Sequence, residues 1–341
     1  MENKGRFRSL DILKGIAIIS VVIGHAGFGN SITNYLSSFH LQLFFFVSGL
    51  LFNVDKYKEF MVYSKRRAKS LLVPYAAFAI VTIIVCLICT LLVGRNIYNL
   101  PESLKGIIWS NQSIFPITGG IWFLQCMFVV EIVYWLLTRF VSYRFLPIVA
   151  IAFATLSFFQ STNALSLPFS IDSALSAIVF FCIGTALRPI FNSINSSSLN
   201  GQKNCLIAGV LIVSGAVLSY FNGRVNPRTC EYGNIILYYV CALVSIAGWT
   251  FLAIGLDRIK NKFIVFANNE LEEAGKNSII YLGLNQLVLA GLFTCCELLP
   301  LSGSSFIKAF RNILVCIATC IIIKYLARLI VSSKLKVFVG K

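Results

Sequence analysis

Long apolar runs constrain the fold of this chain more than any other feature. Ten of them follow one another, separated by short polar segments: residues 10–29, 38–53, 71–93, 121–138, 145–160, 172–190, 204–221, 234–256, 277–296 and 306–330. About 20 mostly apolar residues are needed for a helix to cross the hydrocarbon of a bilayer. The pattern predicts an all-α, polytopic transmembrane helical bundle of about ten spans. No segment between the runs is long enough for a soluble domain, so residues 1–341 are predicted to form a single integral-membrane domain.

Composition excludes a soluble globular fold. Apolar residues make up 57% of the chain and charged residues only 12%. A soluble domain keeps roughly a quarter of its residues charged, because its surface faces water. A second apolar phase must therefore cover this chain, and the lipid bilayer is the partner that provides one.

The basic residues predict the orientation of the bundle. With the N-terminus inside, 21 of the 29 Lys and Arg residues fall in cytoplasmic segments and 6 in outer segments. Because cytoplasmic loops carry such an excess, both termini are predicted to be cytoplasmic. A basic face against anionic lipid accounts for most of the net charge of +16, so no nucleic-acid partner is predicted.

The polar segments predict how the chain is organised. Residues 54–70 form the most basic cytoplasmic loop, and Pro74 is expected to open the helix after it. Residues 30–37 are predicted to be an outer turn, and residues 94–120 the longest outer segment. Residues 192–203 are rich in Ser and Asn and predict a flexible cytoplasmic linker between two five-helix halves.

The eleven cysteines indicate no metal site. Most lie within the apolar runs, where a thiol behaves as a small apolar side chain. Cys86 and Cys89 form a C-x-x-C without a second pair or a nearby histidine, so neither a metal nor a permanently bound cofactor is predicted.

The first apolar run contains ionisable residues that are costly inside a membrane and therefore indicate function. On a helix, Lys14 and His25 lie within about 20° of each other and roughly 16 Å apart along the axis. Asp11 precedes Lys14 by three residues, close enough for a side-chain pair. This polar stripe is expected to face protein or water, with Lys14 near the cytoplasmic mouth and His25 deep, towards the outer leaflet.

The other histidine, His40, is predicted to open the second helix at a depth similar to that of His25. We expect the two imidazoles to line one polar cavity, close enough to interact directly or through one water. For His40 an ordinary structural role stays open, in which backbone carbonyls satisfy the ring. Glu131 lies inside the fourth run and is predicted to orient an imidazole or to pair with a lysine.

Several motifs resemble one known family. A basic residue, ten residues and a histidine run from Lys14 to His25, within LDILKGIAI (10–18) and the residues that follow it. FHLQLFFFVSG (39–49) and RAKSLLVPY (67–75) also match, and weaker matches occur at 121–131, 180–187 and 275–282. These features resemble the acyltransferase type 3 family of bacterial membrane O-acyltransferases, near its fucose 4-O-acetylase-like branch.

The resemblance implies transfer of an acyl group, usually acetyl from acetyl-CoA as co-substrate, to a hydroxyl of a cell-surface polysaccharide or its lipid-linked precursor. It implies a multi-pass protein of the bacterial inner membrane. His25 and His40 are the predicted catalytic residues, with Asp11 and Glu131 in support. The predicted donor-binding residues are all basic: Lys14, Arg66, Arg67 and Lys69.

Two positions depart from the family pattern. Ser70 stands where members often have a second arginine, so the donor contacts are expected to differ in detail. Asn285 stands where many members have a histidine, and we assign it no chemical role. A transporter or flippase for a small or lipid-linked molecule is the alternative, although it does not predict the Lys14–His25 spacing.

Overall fold

The computed structural model describes residues 7–53, 55–56, 58–93, 100–108, 119–162, 167–197, 200–297 and 305–341, and these residues are almost entirely helical. The helices of this described part are α1 (Arg8–His25), α2 (Asn30–Leu51), α3 (Phe60–Arg67), α4 (Val73–Val93), α5 (Leu100–Ile108), α6 (Trp122–Phe140), α7 (Leu146–Thr162), α8 (Ile171–Ser196), α9 (Gly201–Asn222), α10 (Ile235–Arg258), α11 (Lys262–Lys276), α12 (Ser278–Glu297) and α13 (Ser305–Ser332). The all-α prediction is confirmed.

The predicted number of spans is wrong. Within the described residues, seven helices are long and apolar enough to cross a membrane, not ten. They are Phe60–Leu92, Gly119–Phe140, Pro168–Ser196, Gly201–Asn222, Ile235–Arg258, Ser278–Glu297 and Ser305–Ser332. The protein is therefore a multi-pass membrane protein. Seven crossings would place the termini on opposite sides of the membrane. The placement of both termini in the cytoplasm requires an even number and stays a prediction.

Three predicted spans account for the difference. Helix α1 has only 18 residues and carries Arg8, Asp11 and Lys14. Helix α2 begins with the polar sequence NSITNYLSS. Helix α7 is apolar but has only 17 residues. Charge, polarity and length thus separate these helices from the seven longer or more apolar ones.

Several predicted loops are helical instead. Residues 30–37, expected to be an outer turn, form the first two turns of α2, which begins at Asn30. The basic loop is shortened because α3 begins at Phe60. The linker is shortened too, since α8 continues to Ser196 and α9 begins at Gly201. Much of the outer segment 94–120 lies outside the described residues, although α5 falls within it.

Pro74 lies inside a continuous helical segment instead of at a helix start. Residues Ala68–Leu72 form a π-helical turn between α3 and α4, in which the Val73 N–H donates to the Ala68 carbonyl five residues earlier. Proline has no N–H, and in an α-helix its ring would crowd the carbonyl of Ser70. One additional residue in the turn relieves that crowding, and such turns occur often at functional sites.

The helices form two compact units, which are described separately below. Unit 1 contains Met1–Phe52, Phe180–Asn226 and Glu231–Ser278, and unit 2 contains Asn53–Val179, Pro227–Cys230 and Ile279–Lys341. The units therefore interleave along the chain, which contradicts the prediction of two consecutive five-helix halves. In unit 1, α9 packs along α10, and α1 packs against α2, α10 and α11.

Two glycines allow α1 and α11 to approach closely in unit 1. A Cβ at Gly15 would overlap the carbonyl oxygen of Leu271, and a Cβ at Gly275 would overlap the carbonyl oxygen of Asp11. This contact fixes the depth and rotation of the helix that carries Asp11 and Lys14.

Polar contacts hold the first turn of α1 in place. The Arg8 guanidinium donates to Glu272 at 2.7 Å, Asp257 at 3.1 Å and Asn269 at 2.6 Å. Burial raises the pKa of Glu272, but hydrogen bonds from Arg8 and Lys276 outweigh it and lower that pKa overall. The interaction is therefore complete at neutral pH and weakens as the pH falls through the lowered pKa.

Replacing Gly275 by alanine is expected to destabilise unit 1 by about 3 kcal/mol, because backbone atoms cannot move aside as a side chain can. The melting midpoint of the detergent-purified protein measures the effect. Gly209→Ala is the matched control, since nothing lies within 4 Å of its Cβ position, and alanine favours a helix. Equal melting of both variants would contradict the close packing of α1 on α11.

Topology reporters fused at positions 198 and 228 are expected to report opposite sides of the membrane. The apolar helix α9 lies between them and is long enough to span the bilayer. A second pair at positions 228 and 260, which flanks α10, should also report opposite sides. Activity of both members of a pair on one side would show that the helix between them does not cross.

Candidate functional site

The predicted polar stripe exists on a continuous helix. Because α1 is unbroken from Arg8 to His25, Lys14 and His25 share one face and lie roughly 16 Å apart along the axis. Asp11 is buried, and its Oδ1 lies 3.5 Å from Lys14 Nζ. The sequence spacing thus predicted both the shared face and the Asp11–Lys14 pair.

His25 is the last residue of α1 and is exposed within the described structure, and its predicted depth in the membrane stays a prediction. The helix stops there because Gly27 and Gly29 follow with φ angles of 74° and 101°, a conformation that glycine adopts at no steric cost.

His40 lies in the middle of α2 and is only 7% exposed. Its Nδ1 is hydrogen-bonded to the Leu36 carbonyl oxygen one turn earlier. A carbonyl only accepts, so Nδ1 carries the proton and Nε2 of the neutral ring keeps a lone pair. The structural role left open for His40 is therefore observed in part, because a backbone carbonyl satisfies one of its two ring nitrogens.

The two imidazoles are close enough for their charges to interact. Helix α1 packs against α2, and the predicted polar cavity shared by the two rings stays a prediction. The arrangement joins one exposed imidazole at a helix end with one buried imidazole of fixed tautomer. In such a pair the exposed ring can accept a proton, and the buried ring can position the exposed one.

Contacts with α10 fix the rotation of α2 within unit 1. Gln42 donates through Nε2 to the Tyr238 hydroxyl at 3.1 Å, and the Phe39 ring stacks on Trp249 with centroids 5.5 Å apart. These contacts of its neighbours Phe39 and Gln42 therefore set the face of α2 on which His40 lies. Sequence reasoning assigned no role to Gln42 or Tyr238, because nothing local in the sequence pairs them.

A separate buried cluster lies in unit 2, between α3 and α6. Arg67 Nε lies 2.5 Å from Glu131 Oε2, and the Tyr63 hydroxyl donates to the same oxygen at 3.4 Å. The Arg67 guanidinium also lies over the Tyr63 ring, 5.5 Å from its centroid. Glu131 was expected to orient an imidazole or to pair with a lysine, and the partner observed in unit 2 is an arginine.

Tyr63 was missed because residues 54–70 were interpreted as a loop. On a helix, Tyr63 and Arg67 are four residues apart and share a face. That spacing is visible in the sequence, but it gains meaning only when α3 is known to begin at Phe60.

The basic residues after Tyr63 do not form one site. Arg67 faces Glu131, whereas Lys65 and Lys69 lie two residues to either side and therefore on the roughly opposite face. Lys69 lines an apolar groove together with Lys65, and Arg66 is exposed. The four predicted donor-binding residues are thus divided between unit 1, which holds Lys14, and different faces of one helix in unit 2.

The two departures from the family pattern have structural roles here. The Ser70 hydroxyl donates to the Arg67 carbonyl at 3.2 Å. Asn285 is fully buried and donates to the carbonyls of Tyr281 and Leu282 at 2.9 and 2.8 Å. Both side chains satisfy backbone groups of the preceding helical turn.

Comparison with known proteins gives one match. A family model described as an acyltransferase domain matches residues 7–328, nearly the whole chain. The match extends over both units, and therefore over the two histidines as well as the Arg67–Glu131 pair. No curated protein and no solved structure matches the chain. The protein belongs to the acyltransferase type 3 family and is a multi-pass membrane acyltransferase.

Proposed function

We propose that this protein is an O-acyltransferase that moves an acetyl group from acetyl-CoA to a hydroxyl of a cell-surface polysaccharide or its lipid-linked precursor. The observation that carries the proposal is the packing of α1, which ends at His25, against α2, where the Leu36 carbonyl holds the Nδ1 proton of His40. The inner membrane of a bacterium is the proposed location, and the fucose 4-O-acetylase-like branch the proposed relationship.

The reaction needs a base because a sugar hydroxyl is a poor nucleophile. In the proposed step His25 removes the hydroxyl proton as the oxygen attacks the thioester carbonyl. The carbon–sulfur bond then breaks, the acetyl ester is formed, and CoA leaves as a thiolate that takes up the proton. His40 acts as a positioning residue on the neighbouring helix, because the hydrogen bond to Leu36 fixes its tautomer and leaves its Nε2 as an acceptor.

The donor brings several phosphates, which require cations. We assign their binding to Lys14, Arg66 and Arg67, each of which retains some exposure to solvent. Asp11 supports the site by holding Lys14 at 3.5 Å, and Glu131 does so by holding Arg67 at 2.5 Å. Lys69 is excluded from this assignment because it lines the apolar groove considered below.

The direct test is transfer of radiolabelled acetyl from acetyl-CoA by the detergent-purified full chain. Surface glycan from cells with and without the gene serves as the acceptor, and release of the label by mild base identifies an ester. Free CoA should be separated by chromatography, because the eleven cysteine thiols would react with a thiol reagent. The absence of both acetyl transfer and acetyl-CoA hydrolysis would favour the alternative, a transporter or flippase.

Lys14 provides a second test of donor binding. Lys14→Ala is expected to raise the Michaelis constant for acetyl-CoA by about tenfold, since a charge-assisted hydrogen bond to a phosphate contributes roughly 1.5 kcal/mol or more. Lys14→Arg keeps the charge and should retain most of the affinity. Steady-state rates and donor titration distinguish the two variants. Equal loss in both would show that the ammonium geometry matters and not the charge.

A further inference from the structure

A long apolar groove lies on unit 2, away from the Arg67–Glu131 pair on α3. Its volume is about 820 Å³, within the range of roughly 300–1,000 Å³ typical of small-molecule sites. Its walls come from α4, α12, α13 and the C-terminal turn Lys334–Val339, through residues such as Ala76, Leu284, Ile330 and Phe338.

Two lysines form the only polar part of the groove lining within the part of the chain that the structure describes. Lys65 and Lys69 are four residues apart, lie on one face and are both exposed. Neither makes a salt bridge within the described residues, so their two positive charges have no carboxylate beside them there. Every other lining residue is aliphatic or phenylalanine. The groove is therefore cationic at one end and hydrocarbon-like along the rest of its length.

The π-helical turn shapes the cationic end. Lys69 and Leu72 both belong to this turn, which exists because Pro74 cannot continue an α-helix. The C-terminal turn closes over the same point: Gly340 has a φ of 74°, and a Cβ there would lie 2.9 Å from the Ser70 carbonyl oxygen. Two distant parts of the chain, the π-helical turn and the C-terminal turn, thus form the cationic end of the groove.

The dimensions match one leaflet of a bilayer. From Lys69 to Val81, which also lines the groove, the helix rises by roughly 18 Å. One leaflet contributes about half of the roughly 30 Å hydrocarbon thickness. Val73 and Ile80 are exposed along the groove, so a hydrocarbon chain can enter from the side.

We propose that this groove is a binding site for an anionic phospholipid of the surrounding membrane, with the phosphate against Lys65 and Lys69 and one acyl chain along α4. Among the described residues, the lining has no hydroxyl or amide side chain that would recognise a sugar, which favours a bulk phospholipid over a glycan carrier. The predicted orientation places these lysines on the cytoplasmic side, where anionic lipid attracts basic residues. This inference does not rest on the acyltransferase proposal.

The test is a titration of the detergent-purified full chain with palmitoyl-oleoyl phosphatidylglycerol, followed by native mass spectrometry. Lys65→Ala/Lys69→Ala is expected to bind this lipid roughly tenfold more weakly, since each basic residue near an anionic lipid contributes several-fold. Lys260→Ala/Lys262→Ala removes the same charge from exposed positions in unit 1 and should bind as the unmodified protein does. Ala76→Trp fills the groove without changing charge and should also lose the lipid. Melting midpoints confirm that each variant is folded.

Further probes identify the ligand. Phosphatidylcholine with the same chains and inorganic phosphate alone should each bind at least tenfold more weakly than phosphatidylglycerol. Unchanged binding by the Lys65/Lys69 variant or by Ala76→Trp would overturn the proposal. So would tight binding of phosphate alone, preference for a polyprenyl phosphate, or displacement of the lipid by acetyl-CoA.

Discussion

Replacing His25 by alanine is expected to lower the turnover of acyl transfer by about 10²–10⁴-fold, the usual contribution of a positioned general base. The affinity for acetyl-CoA should change little, because His25 lies roughly 16 Å along α1 from Lys14, the proposed phosphate contact on that helix. The measurement is transfer rate at saturating acetyl-CoA beside donor titration. His25→Gln keeps a polar side chain without a base and should fail equally.

The position of His25 argues against loss of folding as the cause of this effect. His25 is the last residue of α1 and exposed within the described residues, so its replacement leaves no cavity in a packed core. Melting midpoints of His25→Ala and the unmodified protein should agree within a few degrees. Transfer at the normal rate by a folded His25→Ala protein would remove His25 from the mechanism.

His40 serves as the comparison within the same reaction. A positioning role predicts that His40→Ala lowers turnover by less than His25→Ala and also shifts the pH dependence of transfer, because an acceptor nitrogen held in a fixed tautomer is lost. If the hydrogen bond to Leu36 has only a structural role, His40→Ala will lower the melting midpoint and leave the pH profile of transfer unchanged.

Helix content and the geometry of the α1 stripe were predictable because both follow from short-range periodicity. A separation of eleven positions places Lys14 and His25 on one helix face whatever the rest of the fold does. The helix ends were less predictable. The polarity of residues 30–37 is typical of a turn, yet they form the start of α2, because tertiary packing overrides weak local preference.

The partners of the site residues depend on contacts between distant parts of the sequence. Arg67 and Glu131 are 64 positions apart, and only the packing of α3 on α6 brings them together. The segment 65–69 looked like one cluster because four of its five residues are basic. A helix directs them to different faces, which is visible only when the segment is known to be helical and not a loop.

Arg67 and Glu131 give the second large expected effect. Glu131 is 3% exposed, so removing Arg67 leaves a buried carboxylate without its cation, which typically costs about 3–5 kcal/mol. The lower end applies here, because the Arg67 side chain retains 30% exposure and water screens part of the interaction. Arg67→Ala should therefore lower the melting midpoint markedly as well as weaken acetyl-CoA binding.

The double variant Arg67→Ala/Glu131→Gln separates these two effects. Glutamine is neutral and can still accept from the Tyr63 hydroxyl, which lies 3.4 Å from the glutamate oxygen, so the melting midpoint should recover most of its loss. Donor binding should not recover, because the proposed phosphate contact is still missing, and its Michaelis constant should remain about tenfold raised at low ionic strength. Glu131→Gln alone is the matched control, with Arg67 kept and no buried carboxylate to pair. If the double variant regains both stability and normal acetyl-CoA affinity, Arg67 serves only to neutralise Glu131, and the phosphates of the donor must be held by other cations.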